Sequence, residues 1–302
     1  MSGKIFHQWV DVYDLLVDWQ RRLEREGPLF QRLFEQTGVR RVLDVACGPG
    51  YHAALFHRWG LEVEGADVSE AMIQRAIALH GQMPGLRWTV RAFQEPVPEP
   101  GYFDAAICIG NSLALAGDKT TAAEAVRQMM RAVRPGGLVV IQVLNLVALP
   151  EGQLLWQKCL AACIGGQPKL ILKGLHRVGN RALVELLLVD LSRGDRAAFE
   201  TSDQTLSQSE GGRAIPASDL SALFHPDHGT PLRWQAQTEQ LLGFLSEELQ
   251  QMARQAGADQ MIVYGGYPEQ PYHALTSQDL ILVAWRSQNP AECSSENRST
   301  KI

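Results

Sequence analysis

The chain has 302 residues, of which 45% are hydrophobic and 20% charged, with a formal net charge of −5. That composition excludes a disordered chain and gives room for one large α/β domain with an insertion, or for two small domains. The negative balance argues against a nucleic-acid partner, because phosphate binding needs a cationic surface. Arg21, Arg22 and Arg25 read equally as a local basic patch or as a solvated helix face. No run of residues has the length and apolarity of a signal peptide or a membrane span. The cysteines form neither a CxxC pair nor a disulfide framework, which fits reduced thiols in a cytoplasmic protein without a membrane partner. Cys159 and Cys163 have the spacing of one helical turn.

Two amphipathic helices are predicted over 8–24 and 28–36, joined at Gly27-Pro28, where proline suits the first turn of the second helix. A short apolar strand at 41–46 runs into Cys47-Gly-Pro-Gly50. A helix to about 59 follows, closed by Gly60. The second strand, 61–66, ends at Asp67, with Ser69 placed to cap the next helix. Strands at 86–90 and 103–109 continue the alternation. Thr121 and Glu124 have capping-box spacing ahead of the apolar face Val126, Met129, Met130 and Val133. Arg134-Pro-Gly-Gly137 then breaks that helix before a strand at 138–143. Alternation at this spacing predicts parallel βαβ units. Beyond Asn145 the turn signals Gly179-Asn180 and Gly194-Asp195 separate short strands at 170–173, 182–191 and 197–206, the pattern of an antiparallel insertion. A polar loop over 207–230, a helix at 246–255, strands at 261–264 and 280–285 and a frayed tail from 289 complete the reading.

The chemistry starts at the glycine turn. Gly48 and Gly50 lack a Cβ, so backbone with positive φ is permitted and a small ligand can approach it. The turn lies at the carboxyl end of a strand, the edge where open α/β sheets bind ligands. Its spacing is GxG, not GxGxxG, since Ala53 stands at the third glycine's place. Asp67, about twenty residues on, can accept hydrogen bonds from both hydroxyls of a ribose. A strand–helix turn and an acidic helix cap are the plainer readings of the two features. Taken together they point to a nucleoside, with NAD and S-adenosylmethionine both open. Asn111 follows the fourth strand at the same edge and is a candidate for lining the cleft.

The run Val42-Leu-Asp-Val-Ala-Cys-Gly-Pro-Gly50 resembles the first motif of class I S-adenosylmethionine-dependent methyltransferases. Asp67-Val-Ser-Glu-Ala-Met72 resembles their segment after the second strand, Phe103 to Leu113 their fourth-strand motif, and Arg131 to Leu138 their turn before the fifth strand. The resemblance implies a Rossmann-like, seven-stranded, mostly parallel α/β sheet with helices on both faces, plus a small antiparallel insertion after the fifth strand. It also implies S-adenosyl-L-methionine as cofactor, S-adenosyl-L-homocysteine as product and a small-molecule acceptor methylated on N or O. The cofactor would be lined by Asp44, Ala46, Cys47, Gly48, Gly50, Asp67, Val68, Met72, Phe93, Gln94, Ile109, Gly110 and Asn111.

Tyr13-Asp14, the run Trp19 to Pro28, Gly110-Asn-Ser-Leu113, Tyr264-Gly-Gly-Tyr267 and Ser277 to Val283 are similar to the glycine/sarcosine N-methyltransferase branch. By that likeness residues 1–37 would cap the cofactor, Tyr13 closing over its methionine end and Arg22 pairing with its carboxylate through a two-pronged charged hydrogen bond. Residues 38–148 would form the core, 149–235 a lid or oligomer contact carrying acceptor specificity, and 236–287 the last helix and strands, with a tail over 288–302.

The chain departs from the branch at two places. Ala92 stands where an acidic residue often contacts adenine, which leaves that role to Phe93 and Gln94. Leu144 stands where glycine methyltransferases carry an arginine for the amino-acid carboxylate, so an acceptor other than glycine, and a more apolar one, is expected. In-line displacement from a sulfonium methyl requires mainly alignment and exclusion of water, so no metal is expected and no general base is assigned. His176, His225, His228 and His273 lie outside the core motifs, and His225 with His228 lacks a third ligand at recognisable spacing. A nucleotide-dependent oxidoreductase and a non-catalytic S-adenosylmethionine-binding regulator are the competing readings.

Overall fold

The strands expected near 41, 61, 86, 103 and 138 lie side by side in parallel: β1 Arg41–Asp44, β2 Glu62–Asp67, β3 Leu86–Val90, β4 Phe103–Cys108 and β5 Val133–Leu144. The structure is a computed structural model and describes residues 10–190 and 233–288. β12 (Asp279–Arg286) pairs antiparallel with β5, and β10 (Ala258–Gly266) antiparallel with β12. The sheet order is β11-β10-β12-β5-β4-β1-β2-β3. It holds eight strands, one more than expected, because Gln270–Pro271 forms the two-residue edge strand β11. So short a strand ending in proline carries no periodicity to read, and an edge is where a strand tolerates proline. After building outward from β1 to β3, the chain returns to the other side of β1 as β4. This reversal opens a crevice beyond the carboxyl ends of β1 and β4.

Helices α3 (Tyr51–Arg58), α4 (Glu70–His80) and α5 (Lys119–Ala132) follow β1, β2 and β4. A second helix from the amino-terminal region, α2 (Trp19–Thr37), places Leu29, Phe30, Leu33 and Phe34 in the core with Phe56 of α3 and Val42 of β1. The break expected at Gly27-Pro28 does not occur, and Pro28 lies inside α2. The break falls instead before Asp18, whose side chain caps the Arg21 N–H at 3.1 Å. Burial of Phe30, Leu33 and Phe34 at helical spacing outweighs the hydrogen bond that Pro28 cannot donate. α5 is likewise capped by Asp118, which accepts from the Thr121 N–H at 2.7 Å, and Glu124 pairs with Arg127 rather than completing the expected capping box.

The described residues divide into two compact units, one of 18–149 and 242–288, the other of 10–17, 150–190 and 233–241. The described part of the amino-terminal region, 10–37, is therefore shared between the units. In the second, helix α1 (Val10–Leu16) packs Val12 and Leu16 against Ile171, Leu186 and Leu188. These belong to a four-stranded sheet in the order β6 (Leu154–Ile164), β7 (Gln167–Val178), β8 (Arg181–Asp190), β9 (Trp234–Leu242), with the first three antiparallel. Cys159 and Cys163 lie on β6 and are not one helical turn apart. The strand expected at 197–206, the loop at 207–230 with His225 and His228, and the tail from 289 lie outside the described residues. No helix among the described residues is long and apolar enough to cross a membrane.

Candidate functional site

The turn after β1 is tied to both neighbouring strands. The Val45 N–H donates to Ile107 O at 2.9 Å and the Cys47 N–H to Ala66 O at 3.0 Å. Its two glycines are there for different reasons. At Gly48, with φ +54°, an added Cβ would meet nothing within 4 Å, so the backbone faces open space. At Gly50, with φ +84°, a Cβ would lie 2.4 Å from the Trp88 indole. Gly65 on β2 meets the same ring at 2.5 Å. Trp88 thus requires glycine at 50 and 65, and at Gly48 the backbone faces open space.

Asp67 and this turn are joined directly. Its Oδ2 accepts the Gly48 N–H at 2.9 Å and its Oδ1 the Ser69 N–H at 2.8 Å. Ser69 is the residue that caps α4, accepting the Met72 N–H at 3.3 Å. Asp67 is therefore not the helix cap; it holds the open glycine in place. Val68 is exposed beside it, and Met72 is buried. Asp44, at the end of β1, is 2% exposed, and its Oδ1 has no hydrogen-bond partner among the described residues. Burial, with the charge of Asp67, pushes its carboxyl up to about 7.

α2 brings Arg22 to this edge. A Cβ on Gly110 would lie 3.0 Å from the Arg22 guanidinium, so glycine there lets the arginine pass against the turn after β4. Arg22 Nε donates to Glu26 Oε1 at 3.0 Å, and Glu26 Oε2 meets His52 Nε2 at 2.9 Å. Trp19, stacked on Tyr51 with centroids 4.3 Å apart, covers the guanidinium at 5.2 Å. Burial alone would raise the Glu26 carboxyl, but the His52 hydrogen bond and Arg22 hold it at about 2. Burial moves His52 the other way, lowering it below the usual imidazole value.

Beyond β4, the Gly110 N–H donates to Gln142 Oε1 at 2.7 Å, and Gln142 Nε2 donates to Asp279 Oδ1 at 2.7 Å. Asn111, in left-handed backbone at φ 69°, uses its carboxamide oxygen to accept the Leu144 N–H. Its side chain oxygen thus ties β4 to β5. Tyr267 is buried, and its hydroxyl has no hydrogen-bond partner among the described residues. Ile109 and Ala92 are buried, while Ala46, Phe93 and Gln94 are half-buried at the ends of β1 and β3. Tyr13 lies on α1, in the second unit.

Sequence reasoning missed His52 and Gln142, and saw Glu26, Tyr267 and Asp279 only within a resemblance. Gln142 carried a signal, being the one polar side chain in the apolar run Leu138–Leu144 of β5. No group of three potential metal ligands exists among the described residues.

Residues 42–137 match the family described as methyltransferase domain. The chain is 33% identical over 146 residues to a glycine/sarcosine N-methyltransferase of Parasynechococcus marenigrum, covering 48% of this chain and 52% of that one. It is 33% identical over 147 residues to a glycine N-methyltransferase of Oryctolagus cuniculus, covering 42% and 50%. The match thus spans about half the length of these relatives. Among solved structures, a methyltransferase from Streptomyces caelestis superposes with a TM-score of 0.67 at 18% identity, covering 96% of this chain and all of that one. A sugar N-methyltransferase from Streptoalloteichus gives a TM-score of 0.64 at 20% identity, covering 91% and 92%. The sheet thus has the fold of these solved methyltransferases, and its stretch from β1 to β5 matches a methyltransferase domain. The family match itself covers β1 through the turn into β5.

Proposed function

We propose that the protein methylates an amine nitrogen of a small molecule, with S-adenosylmethionine as donor. The observation that carries the reading is the pairing of Asp67 with Gly48: a carboxylate 2.9 Å from the backbone N–H of a glycine whose face is open. Nitrogen rather than oxygen is favoured by the names of the matched relatives, glycine and sarcosine N-methyltransferases. The residues present suit the cofactor. Asp67 would accept the ribose hydroxyls, Arg22 would hold the carboxylate of the methionine portion, and Phe93 and Gln94 would flank adenine. Ala46, Cys47, Val68, Met72, Ile109 and Gly110 would line its path. The unpartnered oxygen of Asp44 offers an acceptor for a cationic ligand.

S-adenosylmethionine supplies an electrophilic methyl when bound. The chain's own contribution is to hold both partners in line and to exclude water. Residues 149–235 would carry acceptor choice.

Calorimetry with S-adenosylhomocysteine tests the cofactor assignment. Asp67→Ala is expected to weaken binding at least tenfold, about 1.4 kcal/mol. Unchanged affinity in a folded variant would remove Asp67 from the ribose role. Transfer of labelled methyl to amines but not to matching alcohols tests the choice of nitrogen.

A further inference from the structure

Asp279 is the first residue of β12 and lies directly opposite Leu144, the last residue of β5, so it stands at the carboxyl edge of the parallel sheet. Gln142 anchors it there, spanning 2.7 Å to the Gly110 N–H on one side and 2.7 Å to Asp279 Oδ1 on the other. One side chain therefore fixes this carboxylate against the turn that closes the cofactor crevice. Asp279 forms no ion pair among the described residues; its one hydrogen bond there comes from a neutral amide. The cations nearest in effect, Arg25 and Arg22, both pair with Glu26, at 3.1 and 3.0 Å. Burial accordingly pushes the Asp279 carboxyl up, against the lowering effect of Gln142.

A second feature converges on the same place. The Tyr267 hydroxyl, on a residue only 7% exposed, has no hydrogen-bond partner among the described residues. Tyr267 directly follows β10, whose Tyr264 pairs with Ile281 of β12, so it stands by the first residues of β12, and Glu26, Asp279, Arg22 and Arg25 all act on its hydroxyl. A buried phenol left without a partner has lost its hydrogen bonds to water, so a ligand that bonds to it recovers a penalty already present in the free protein. The surrounding charges define what that ligand is. Of these four groups Glu26 is taken by the two arginines, whereas Asp279 forms no ion pair among the described residues. That leaves the Asp279 carboxylate to meet a cation.

We propose that Asp279 and the Tyr267 hydroxyl form the acceptor subsite and select a substrate that presents a protonated amine: Asp279 pairs with the ammonium and takes one of its protons, leaving a neutral nitrogen with its lone pair to receive the methyl, and Tyr267 supplies a hydrogen bond. This rests on the amine-methylating reading given above and narrows it to acceptors that reach the site as ammonium ions. Gln142 is a positioning residue for Asp279.

The test follows the carboxyl-carbon resonance of Asp279, assigned by its loss in Asp279→Asn, with and without S-adenosylhomocysteine. The probes are cyclohexylamine and glucosamine, set against cyclohexanol and glucose. The amines are expected to lower the titration midpoint of Asp279 and the alcohols to leave it in place. Asp279→Asn should weaken amine binding about tenfold and Tyr267→Phe several-fold, with S-adenosylhomocysteine affinity kept within about twofold in both. Equal affinity for amine and alcohol, or amine binding untouched by Asp279→Asn, would overturn the proposal. A wild-type protein that binds no S-adenosylhomocysteine would instead overturn the cofactor reading, and the amine response would still be measurable on its own.

Discussion

Arg22 and Glu26, one turn apart on α2, form an ion pair at 3.0 Å that is buried on the carboxylate side and held from behind by His52 at 2.9 Å. An arginine on an exposed helix face samples many rotamers, and ordering it for a ligand costs up to about 2 kcal/mol. Here Glu26 fixes Nε and Trp19 covers the plane, so the guanidinium is already directed past Gly110.

If Arg22 receives the amino-acid carboxylate of the cofactor, its loss is felt only by ligands that carry that group. Arg22→Ala should weaken S-adenosylhomocysteine about tenfold or more while leaving 5′-methylthioadenosine, which lacks the carboxylate, nearly unchanged. Glu26→Gln should show the same selectivity at smaller size. Calorimetry with both ligands decides it, and equal loss for both would show that the network only supports the helix.

The packing of Trp88 yields a prediction on stability. A Cβ at Gly65 would sit 2.5 Å from the indole and 3.1 Å from the Cys47 sulfur. The indole is held by its own hydrogen bond to Gly81 O at 2.8 Å and cannot slide freely. Gly65→Ala is expected to cost about 1–3 kcal/mol by overpacking. In a Trp88→Leu background the same substitution should be nearly neutral, since the obstructing ring is gone. Denaturant unfolding of the four proteins measures the coupling, and additive costs would contradict the contact.

The glycine turn, Asp67 and the alternating strands were legible because each is local: a spacing, a strand end, a cap. The features that were not legible depend on long-range packing. Nothing near Pro28 in the sequence announces that Phe30 and Phe34 will hold a continuous helix against Phe56. Gly48 and Gly50 look alike in the sequence, and only the position of Trp88 separates the open glycine from the packed one. Asp279 follows the resemblance to a strand motif, but its place beside Gly110 is set by Gln142, 137 residues away. The two-residue strand β11 and the long strand β6 were missed for opposite reasons. One is too short to show a pattern, and the other lacks a clean alternation of buried and exposed positions.

Asp44 offers the sharpest pH test, because its shift is large and its sign is unusual for a carboxylate at a ligand edge. In the native state burial, aided by Asp67, raises it to about 7 from an ordinary value of 3.8. Between those values the folded protein keeps a proton that the unfolded chain has released. Its contribution to stability is therefore fully present below 3.8 and is lost as pH rises through about 7. His52 acts in the opposite sense, since burial lowers it and its contribution is lost as pH falls below 6.5. Glu26 titrates near 2, outside this window. The wild-type profile mixes these trends, and the difference between wild type and Asp44→Asn separates them. The stability of Asp44→Asn relative to wild type should rise between pH 4.5 and 8 by a few kcal/mol, on the order of 1.4 kcal/mol for each pH unit in the middle of the range. Urea unfolding of both proteins across that range measures the difference. Parallel profiles would mean that Asp44 is ionised in the folded protein throughout, and that its unpartnered oxygen is satisfied by water.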